Sequence, residues 1–484
     1  MAPKSSQSRF SLKVMVHKEE KRVIFAEAGS NFVDTLFSIM TFPLATIVRL
    51  LHKCPNEKLK PIGSLNNIYQ SLLDLSMNSM SAEENKWMLL NPRTSSYDIC
   101  RKLKLNINDQ EPKLFICKDI DCSRRSGARF SICNLAKCGV CGKMMDREIK
   151  YEDSTLEDNC DGGVFVSDLV SYIVTDDLRV MPNSPGSIIK LICELGITAA
   201  SCLEEMAFDI GFDQILTLVK GALLFKCPLT YMVFPSSPVI QNLVNPRHET
   251  AFKPFKSKSS KRLKLKVTMQ KSTSKFLFAE ADCDFVEFLF GLLEIPLGHM
   301  IGQLMNGVSP FESLNNLFQS ISNMSVGEYI NSHTLKDMLL QPQLVHRNLS
   351  VNQIFPLSVL RDTTNYCHSY LRLGTFSAYM TRFAKREGLE KEMFCCCNFK
   401  DSRVGGRYLK TSAKFILTDD IVITPLTSFS SITLLGKLKV PFDDFEEVEV
   451  SIGIDEGLEI FDAALKSMSA LTDSLLKKIK ETEN

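Results

Sequence analysis

Four cysteines in the first third of the chain have the residue type and the spacing of metal ligands. Cys117 is followed by Cys122, and after an excursion of 15 residues Cys138 is followed by Cys141. Two close pairs of thiolates can surround Zn²⁺ tetrahedrally, and the glycine after Cys141 favours the tight turn that such a pair needs. The pattern predicts a structural zinc site in a ribbon-like segment, residues 115–145.

Other cysteines leave part of this prediction open. Cys133 and Cys160 lie close to the four in sequence. Either one could replace a ligand, although packing in the core is the default for a free thiol. The alternative for the whole set is a group of buried thiols without metal. Because four sulfur ligands leave no open coordination position, a metal held in this way would be structural and not catalytic.

Residues for catalysis are scarce in the sequence. The chain has seven histidines, and none lies between His52 and His248. The patterns of P-loops, dinucleotide-binding folds, serine hydrolases and zinc proteases are absent. No catalytic or cofactor-binding residue is therefore predicted. This weakens the case for an enzyme without closing it.

Two Asp-Asp pairs occupy matching places, Asp176–Asp177 in YIVTDDLRVMP and Asp419–Asp420 in FILTDDIVITP. Neighbouring carboxylates could act as a general acid and base. Each pair lies between two β-rich runs, however, where aspartates are more typical of a tight hairpin turn. The turn interpretation is favoured.

The elements that would position these residues occur twice. The segment 23–44, VIFAEAGSNFVDTLFSIMTFPL, returns as 276–297, FLFAEADCDFVEFLFGLLEIPL, with ten of 22 positions identical and an offset of 253 residues. SLNNIYQS at 64–71 returns as SLNNLFQS at 313–320. An offset of this size is too long for a solenoid repeat and is typical of a duplicated domain.

Each copy shows strands and helices in mixed order. In the first copy, β-rich runs at 12–16 and 23–26 predict a hairpin. Asn31 with Asp34 predicts a capping box for the next helix, and Pro43 ends that helix and starts another. This is not the regular alternation of a parallel α/β sheet, so the predicted class is α+β.

The predicted organisation is two tandem copies joined by a linker. The first copy covers residues 1–235, the linker 236–262 and the second copy 263–484. The second copy does not keep the four-cysteine pattern. Its Cys395, Cys396 and Cys397 are consecutive, and adjacent residues point in different directions, so they make poor chelators. Metal would therefore be needed in the first copy only.

Charge and hydropathy limit the possible partners and location. Lys and Arg number 57 against 56 Asp and Glu, which argues against non-specific binding of nucleic acid or anionic membrane by the whole chain. No apolar run is long enough to span a membrane, and the start lacks the apolar core of a secretory signal. We expect an intracellular protein, cytoplasmic or alternatively nuclear, that makes no membrane contact.

Taken as a set, these motifs resemble a known family. The LKV strand, FAEA, the FV..LF helix leading to PL, SLNN, the cysteine pairs and TDDL..P resemble a plant family known only as domain of unknown function 674. The resemblance extends over nearly the whole chain, twice. It implies an intracellular plant protein, often with tandem copies, and it implies no activity.

Three functions are compatible with the sequence. The first is a non-catalytic interaction or scaffold protein that binds an unidentified protein partner. The second is nucleic-acid binding through the ribbon and the basic end of the linker. The third is an enzyme of unrecognised type that uses scattered carboxylates such as Glu27 and Asp176. The absence of a catalytic constellation favours the first.

Overall fold

The computed structural model describes most of the chain and leaves several segments outside. The described residues are 9–53, 62–108, 113–119, 121–122, 129–151, 163–242, 261–345, 350–357, 359–360, 365–372, 375–381, 393–400, 403, 406–427, 429, 432–434, 436, 439–441 and 443–482. Residues 243–260 of the predicted linker are therefore not described. Its first residues, 236–242, include a short helix.

The first half of the chain contains both element types. Its strands are β1 (Phe10–His17), β2 (Arg22–Ala28), β3 (Leu114–Ile116), β4 (Arg129–Ser131), β5 (Arg147–Tyr151), β6 (Tyr172–Thr175), β7 (Val180–Pro182) and β8 (Leu203–Ile210). Its helices are α1 (Ser30–Ser38), α2 (Leu44–Leu51), α3 (Leu65–Asp74), α4 (Glu83–Leu90), α5 (Tyr97–Cys100), α6 (Pro185–Glu194), α7 (Phe212–Leu224), α8 (Pro228–Val233) and α9 (Pro238–Asn242).

The second half has a similar inventory. Its strands are β9 (Leu263–Gln270), β10 (Lys275–Asp282), β11 (Leu344–Val345), β12 (Val359–Leu360), β13 (Asn365–Arg372), β14 (Thr375–Thr381), β15 (Met393–Phe399), β16 (Lys414–Leu417), β17 (Ile423–Pro425) and β18 (Phe445–Ile452). Its helices are α10 (Cys283–Leu292), α11 (Leu297–His299), α12 (Glu312–Asn323), α13 (His333–Leu340), α14 (Ile454–Lys466) and α15 (Ala470–Thr482).

Each half contributes one five-stranded antiparallel sheet, and the two sheets have equivalent strand orders. The orders are β7-β6-β2-β1-β8 and β17-β16-β10-β9-β18. The predicted hairpins are present as β1–β2 and β6–β7. Helices and antiparallel sheets follow one another without a βαβ rhythm, which confirms the predicted α+β class.

A third, closed sheet takes strands from both halves. Its order is β13-β14-β5-β3-β4-β15, and it closes because β13 also pairs with β15. The two junctions between the halves are parallel, β14 with β5 and β15 with β4. Strands β3, β4 and β5 belong to the segment that carries the four cysteines, so this sheet positions them.

The two halves also meet at the prolines that follow helix α1 and helix α10. Pro43 and Pro296 form an antiparallel bridge. The N–H of Leu44 donates to the carbonyl of Ile295 at 3.0 Å, and the N–H of Leu297 donates to the carbonyl of Phe42 at 3.0 Å. The chain therefore places equivalent residues of its two halves side by side.

The predicted capping box of the first helix is wrong. Helix α1 begins at Ser30 with Gly29 as its N-cap, and no side chain caps it. Asp34 instead accepts the N–H groups of Val164, Phe165 and Val166 at 2.5–2.9 Å. The carboxylate that the local pattern assigned to the helix start thus binds a loop that is 130 residues away in sequence. In the second half, Glu287 accepts the N–H of Leu409 in the equivalent way.

The two helices that carry the SLNN motif, α3 and α12, each contact the opposite half of the chain. Asn67 at the start of α3 donates to the backbone carbonyl of Asp420 at 2.8 Å, beside β16 of the other half. Asn316 of α12 donates to the carbonyl of Asp177 at 2.9 Å. One hydrophobic core then includes buried side chains from Leu12 to Ile479. Among the described residues, no helix is both long and apolar enough to cross a membrane.

Candidate metal centre

Two loops at one end of the closed sheet bring the four cysteines together. Cys117 directly follows β3, and Cys122 lies five residues later. Cys138 and Cys141 lie on the turn between β4 and β5. In that turn the N–H of Cys138 donates to the carbonyl of Lys143 at 2.8 Å, and the N–H of Gly142 donates to the carbonyl of Cys138 at 2.9 Å.

Gly142 has the left-handed backbone conformation that a tight turn after Cys141 requires. Its φ of +70° lies in the left-handed region, where a side chain is strained. The turn is extended by an antiparallel bridge between Lys137 and Met144. The C-x-x-C-G motif therefore forms the compact turn that the sequence predicted for it, with both cysteines on the same loop.

The four sulfur atoms form one group. All four Sγ atoms lie within 4.8 Å of one another, and those of Cys117 and Cys141 are 3.4 Å apart. Four sulfurs at the Zn–S distance from a tetrahedral centre would be separated by about 3.8 Å. The described cysteines here are free thiols and not disulfides. The group could therefore hold a metal ion.

Exposure differs across the group in a way that suits entry from solvent. Cys117 is buried, with 3% of its surface exposed. Cys122 and Cys138 are half-buried, and Cys141 is exposed. An ion arriving from water would thus meet Cys141 first and have Cys117 at its inner side. An entry path of this kind is a requirement for any metal site.

Backbone and side-chain donors hold the loops around the sulfurs. The N–H of Asp119 points at the Sγ of Cys117 at 3.4 Å. Lys143 reaches across to Asp119, with 2.8 Å between Nζ and Oδ2. Arg147 donates to the carbonyl of Cys117 at 2.8 Å. These contacts join the first cysteine pair to the second, which is what partners outside the ligand set usually do in metal sites.

The thiols of the group differ in acidity. Burial raises the pKa of the Cys117 thiol to about 12. Burial acts in the same direction on Cys138, but N–H groups of Cys141 and Val140 point at its sulfur and bring its pKa down to about 7. A bound cation would favour the thiolate form at every member of the group, since metal ligation requires deprotonated sulfur.

The two surplus cysteines have different outcomes. Cys133 is buried, and its Sγ accepts the N–H of Leu135 at 3.4 Å. It is not a member of the four-sulfur group. Cys160 lies outside the described residues. In the second half, Cys367 pairs with Cys395 in the register of β13 and β15, and their side chains are not described.

Sequence reasoning assigned no bracing role to Asp119 and Arg147, which hold the group from outside. Neither belongs to a ligand motif. The only available signal was position, since Asp119 follows Cys117 by two residues and Arg147 opens β5. Their partners, Lys143 for Asp119 and the carbonyl of Cys117 for Arg147, become visible only in the fold.

The aspartate pairs form turns, as the sequence favoured. Asp176 is buried and accepts both the N–H and the hydroxyl of Thr230, at 2.8 and 2.7 Å. Asp419 accepts the same two groups of Thr472, each at 2.8 Å. Each first aspartate thus holds the first turn of a helix, α8 or α15. Burial raises the pKa of Asp176 to about 6.

The carboxylates named for an enzymatic alternative have different surroundings. Glu27 is exposed on β2 and accepts from the side-chain amide of Asn183 at 3.3 Å. Asp176 is buried and committed to Thr230. In the pairing of β2 with β6, Glu27 lies opposite Ile173, three residues before Asp176 in the chain. The two carboxylates therefore do not form the paired arrangement of a general acid and base.

Comparison with known proteins gives one result. No curated protein and no solved structure matches the chain. A family model described as protein of unknown function (DUF674) matches residues 6–455, which is most of the 484-residue chain and includes both sheets and the four cysteines. The chain therefore belongs to the DUF674 family of proteins of unknown function.

Proposed function

We propose that this protein binds one Zn²⁺ through Cys117, Cys122, Cys138 and Cys141, and that it acts as a non-catalytic interaction or scaffold protein. The observation that carries the proposal is the grouping of four Sγ atoms within 4.8 Å. Zinc is the metal of choice because thiolates in a tetrahedral set favour it and because it has no redox chemistry.

The metal would serve the fold and not a reaction. With four sulfurs coordinated, no position is left for water or substrate. The site would fasten β3 to the β4–β5 turn, and these strands join those of the second half in the closed sheet. A metal here therefore supports a surface built from both halves, on which a protein partner would bind.

Nucleic-acid binding is the weaker alternative, because four described lysines near the cysteines and at the start of the second half have acidic partners. The pairs and their N–O distances are Lys143–Asp119 at 2.8 Å, Lys118–Asp146 at 3.7 Å, Lys264–Glu449 at 2.7 Å and Lys266–Glu447 at 2.7 Å. A paired cation releases fewer counterions on binding a phosphate backbone, so its contribution to affinity is smaller. Lys253, Lys256 and Lys258, which belong to the basic end of the linker, lie outside the described residues.

The test is the metal content of the purified full chain, measured by inductively coupled plasma mass spectrometry. We expect about one Zn²⁺ per chain, and Co²⁺ substitution should give the intense thiolate-to-metal bands of a sulfur-rich tetrahedral site. The double variant Cys138→Ser/Cys141→Ser should lose the metal and melt at a lower temperature. Cys133→Ser, a buried thiol outside the group, is the matched control and should keep the metal.

Two results would contradict the proposal. One is metal-free wild-type protein after purification without chelators in zinc-supplemented medium. The other is retention of zinc by the double variant. Filter binding of duplex DNA and of single-stranded RNA at low salt addresses the alternative, and strong salt-dependent retention of either would favour a nucleic-acid-binding function.

A further inference from the structure

A cavity of about 390 Å³ lies beside the cysteine-bearing segment. Its volume is within the range of small-molecule sites. The lining residues come from α2, from α4 and the chain that follows it, and from the segment around β3 and β4. They are Arg49, Trp87, Asn91, Pro92, Arg93, Thr94, Tyr97, Asn108, Lys113, Phe115, Ile132, Cys133 and Asn134.

The charges of this lining all have one sign. Arg49, Arg93 and Lys113 are cationic, and none of the described lining residues is a carboxylate. Lys113 shares its charge with Glu148, which lies 3.0 Å away outside the lining. Arg49 and Arg93 contribute two guanidinium groups to the lining. Planar guanidinium groups recognise carboxylate and phosphate with paired hydrogen bonds.

The apolar part of the lining is largely aromatic. Trp87 and Tyr97 are half-buried, and Phe115 is buried with 8% of its surface exposed. Flat side chains of this kind favour a flat ligand, which can stack on one ring or meet it edge to face. Ile132 completes the apolar surface, with 3% exposed.

Hydrogen bonds hold the walls in place before any ligand arrives. Arg49 donates from Nη1 to the carbonyl of Leu90 at 3.1 Å and to Oδ1 of Asn91 at 3.4 Å. Asn91 in turn donates from Nδ2 to the carbonyl of Trp87 at 2.9 Å. The Arg49 guanidinium group and the backbone of Trp87 are thus connected through one asparagine. A wall organised in this way loses little entropy on binding.

We propose that this cavity binds a small planar aromatic anion, with its ring among Trp87, Tyr97 and Phe115 and its carboxylate or phosphate against Arg49 and Arg93. The inference goes beyond the structural metal and does not depend on it, since none of the four cysteines lines the cavity. The two sites are neighbours in the chain, because β3 leads from Lys113 and Phe115 to Cys117.

Trp87 makes the proposal directly measurable, because the chain has one tryptophan and it lines the cavity. Full-length protein is titrated with trans-cinnamate, with phenyl phosphate and with the uncharged trans-cinnamamide, while Trp87 emission is recorded and calorimetry gives the stoichiometry. The anion preferred by the site should bind one per chain and change the emission saturably. Cinnamamide should bind at least about tenfold more weakly, since it cannot form the charge-assisted hydrogen bonds. The two anions distinguish a carboxylate from a phosphate site.

Two variants test the assigned residues. Arg93→Gln should weaken anion binding about tenfold or more. Asn134→Asp places a carboxylate at an exposed position of the lining, where folding is little affected, and should weaken it in the same direction. Lys190→Gln changes an exposed cation on α6 that does not line the cavity, and this variant should bind as wild type does.

The proposal is overturned by any of three results. The first is no saturable change with either anion up to about 10 mM, which corresponds to binding weaker than about 3 kcal/mol. The second is equal affinity for cinnamate and cinnamamide. The third is unchanged anion affinity in both Arg93→Gln and Asn134→Asp while their melting curves stay cooperative.

Discussion

Asn67 donates its side-chain amide to Asp420, which lies 353 residues further along the chain, at 2.8 Å to the carbonyl and 3.0 Å to the carboxylate. The reciprocal contact is present as well, with Asn316 donating to Asp177. Each SLNN helix therefore docks on the Asp-Asp turn of the opposite half. Ser71 and Ser320 repeat the exchange by accepting N–H groups of β17 and β7.

This exchange predicts the cost of removing either asparagine. Asn67→Ala and Asn316→Ala should each lower the free energy of unfolding by about 1–2 kcal/mol, because each removes the amide donor of a part-buried backbone carbonyl and one of the donors of the neighbouring carboxylate. Urea denaturation of the full chain measures the change. Gln70→Ala and Gln319→Ala are matched controls, since both glutamines are exposed on the same helices, and they should stay within about 0.5 kcal/mol of wild type. Equal losses in asparagine and glutamine variants would contradict the interpretation.

The same contacts predict that the covalent link between the halves is dispensable. Residues 1–242 and 261–484, expressed together as two polypeptides, should copurify as a one-to-one complex. The described contacts between the halves are made by residues outside 243–260, so they should survive the removal of that segment. Size-exclusion chromatography with mass measurement checks this. Two separate, non-associating folded halves would contradict it and would instead support the domain boundaries as independently folding units.

A glycine shows how tightly the halves approach. Gly63 has a φ of +46°, and a Cβ placed there would lie 2.4 Å from the carbonyl oxygen of Ala464 in α14 of the other half. Gly142 also has a positive φ, but nothing lies within 4 Å of its Cβ position. Gly63→Ala should therefore lower the free energy of unfolding by about 2 kcal/mol more than Gly142→Ala does, since backbone must move to relieve the overlap. Similar losses for the two variants, measured by urea denaturation, would show that the approach is looser.

Local pattern predicted the elements well where the sequence determines them locally. The hairpin β1–β2, the turn at Asp176–Asp177 and the compact Cys138–Cys141 turn all follow from short-range rules of residue type and spacing. The fold class follows from their order. Each of these features depends on residues that are close in sequence.

The exchange between halves could not be predicted in this way. Because SLNN and TDD occur in both halves of the chain, the same bond could form within a half or between halves, and the motifs do not distinguish these cases. The prediction of a capping box was wrong for a related reason. The carboxylate of Asp34 accepts backbone N–H groups at Val164–Val166 and not at the start of its own helix. The cavity was missed because Arg49, Trp87 and Phe115 come from separate segments and form no motif.

Glu294 predicts how stability varies with pH. It is buried beside Tyr408, whose hydroxyl lies 3.0 Å from Oε1, and burial raises its pKa from 4.5 to about 8, against the opposing influence of Tyr408 and Arg403. The folded protein therefore keeps a proton that the unfolded chain loses above pH 4.5. Stability from this group is complete below pH 4.5 and is lost as the pH rises towards 8, by on the order of 4 kcal/mol. Glu294→Gln should remove that decline in denaturation curves recorded from pH 5 to 8. An unchanged decline would mean that other groups cause it.

His299 acts with the opposite sign at lower pH. It is buried with 1% of its surface exposed, neither ring nitrogen has a partner among the described residues, and burial lowers its pKa from 6.5 to about 4. Between these values the unfolded chain binds a proton that the folded protein does not. Stability should therefore fall as the pH drops from 6.5 to 4, by about 3 kcal/mol from this residue.

His299→Leu is the matching test, because leucine has a similar size and no proton to bind. The variant should be at least as stable as wild type at pH 7, where the imidazole is neutral but has no hydrogen-bond partner among the described residues. Its advantage over wild type should grow towards pH 4, measured by urea denaturation at each pH. If the difference between variant and wild type is independent of pH, His299 is protonated equally in both states, and a carboxylate or water must reach it in the folded protein.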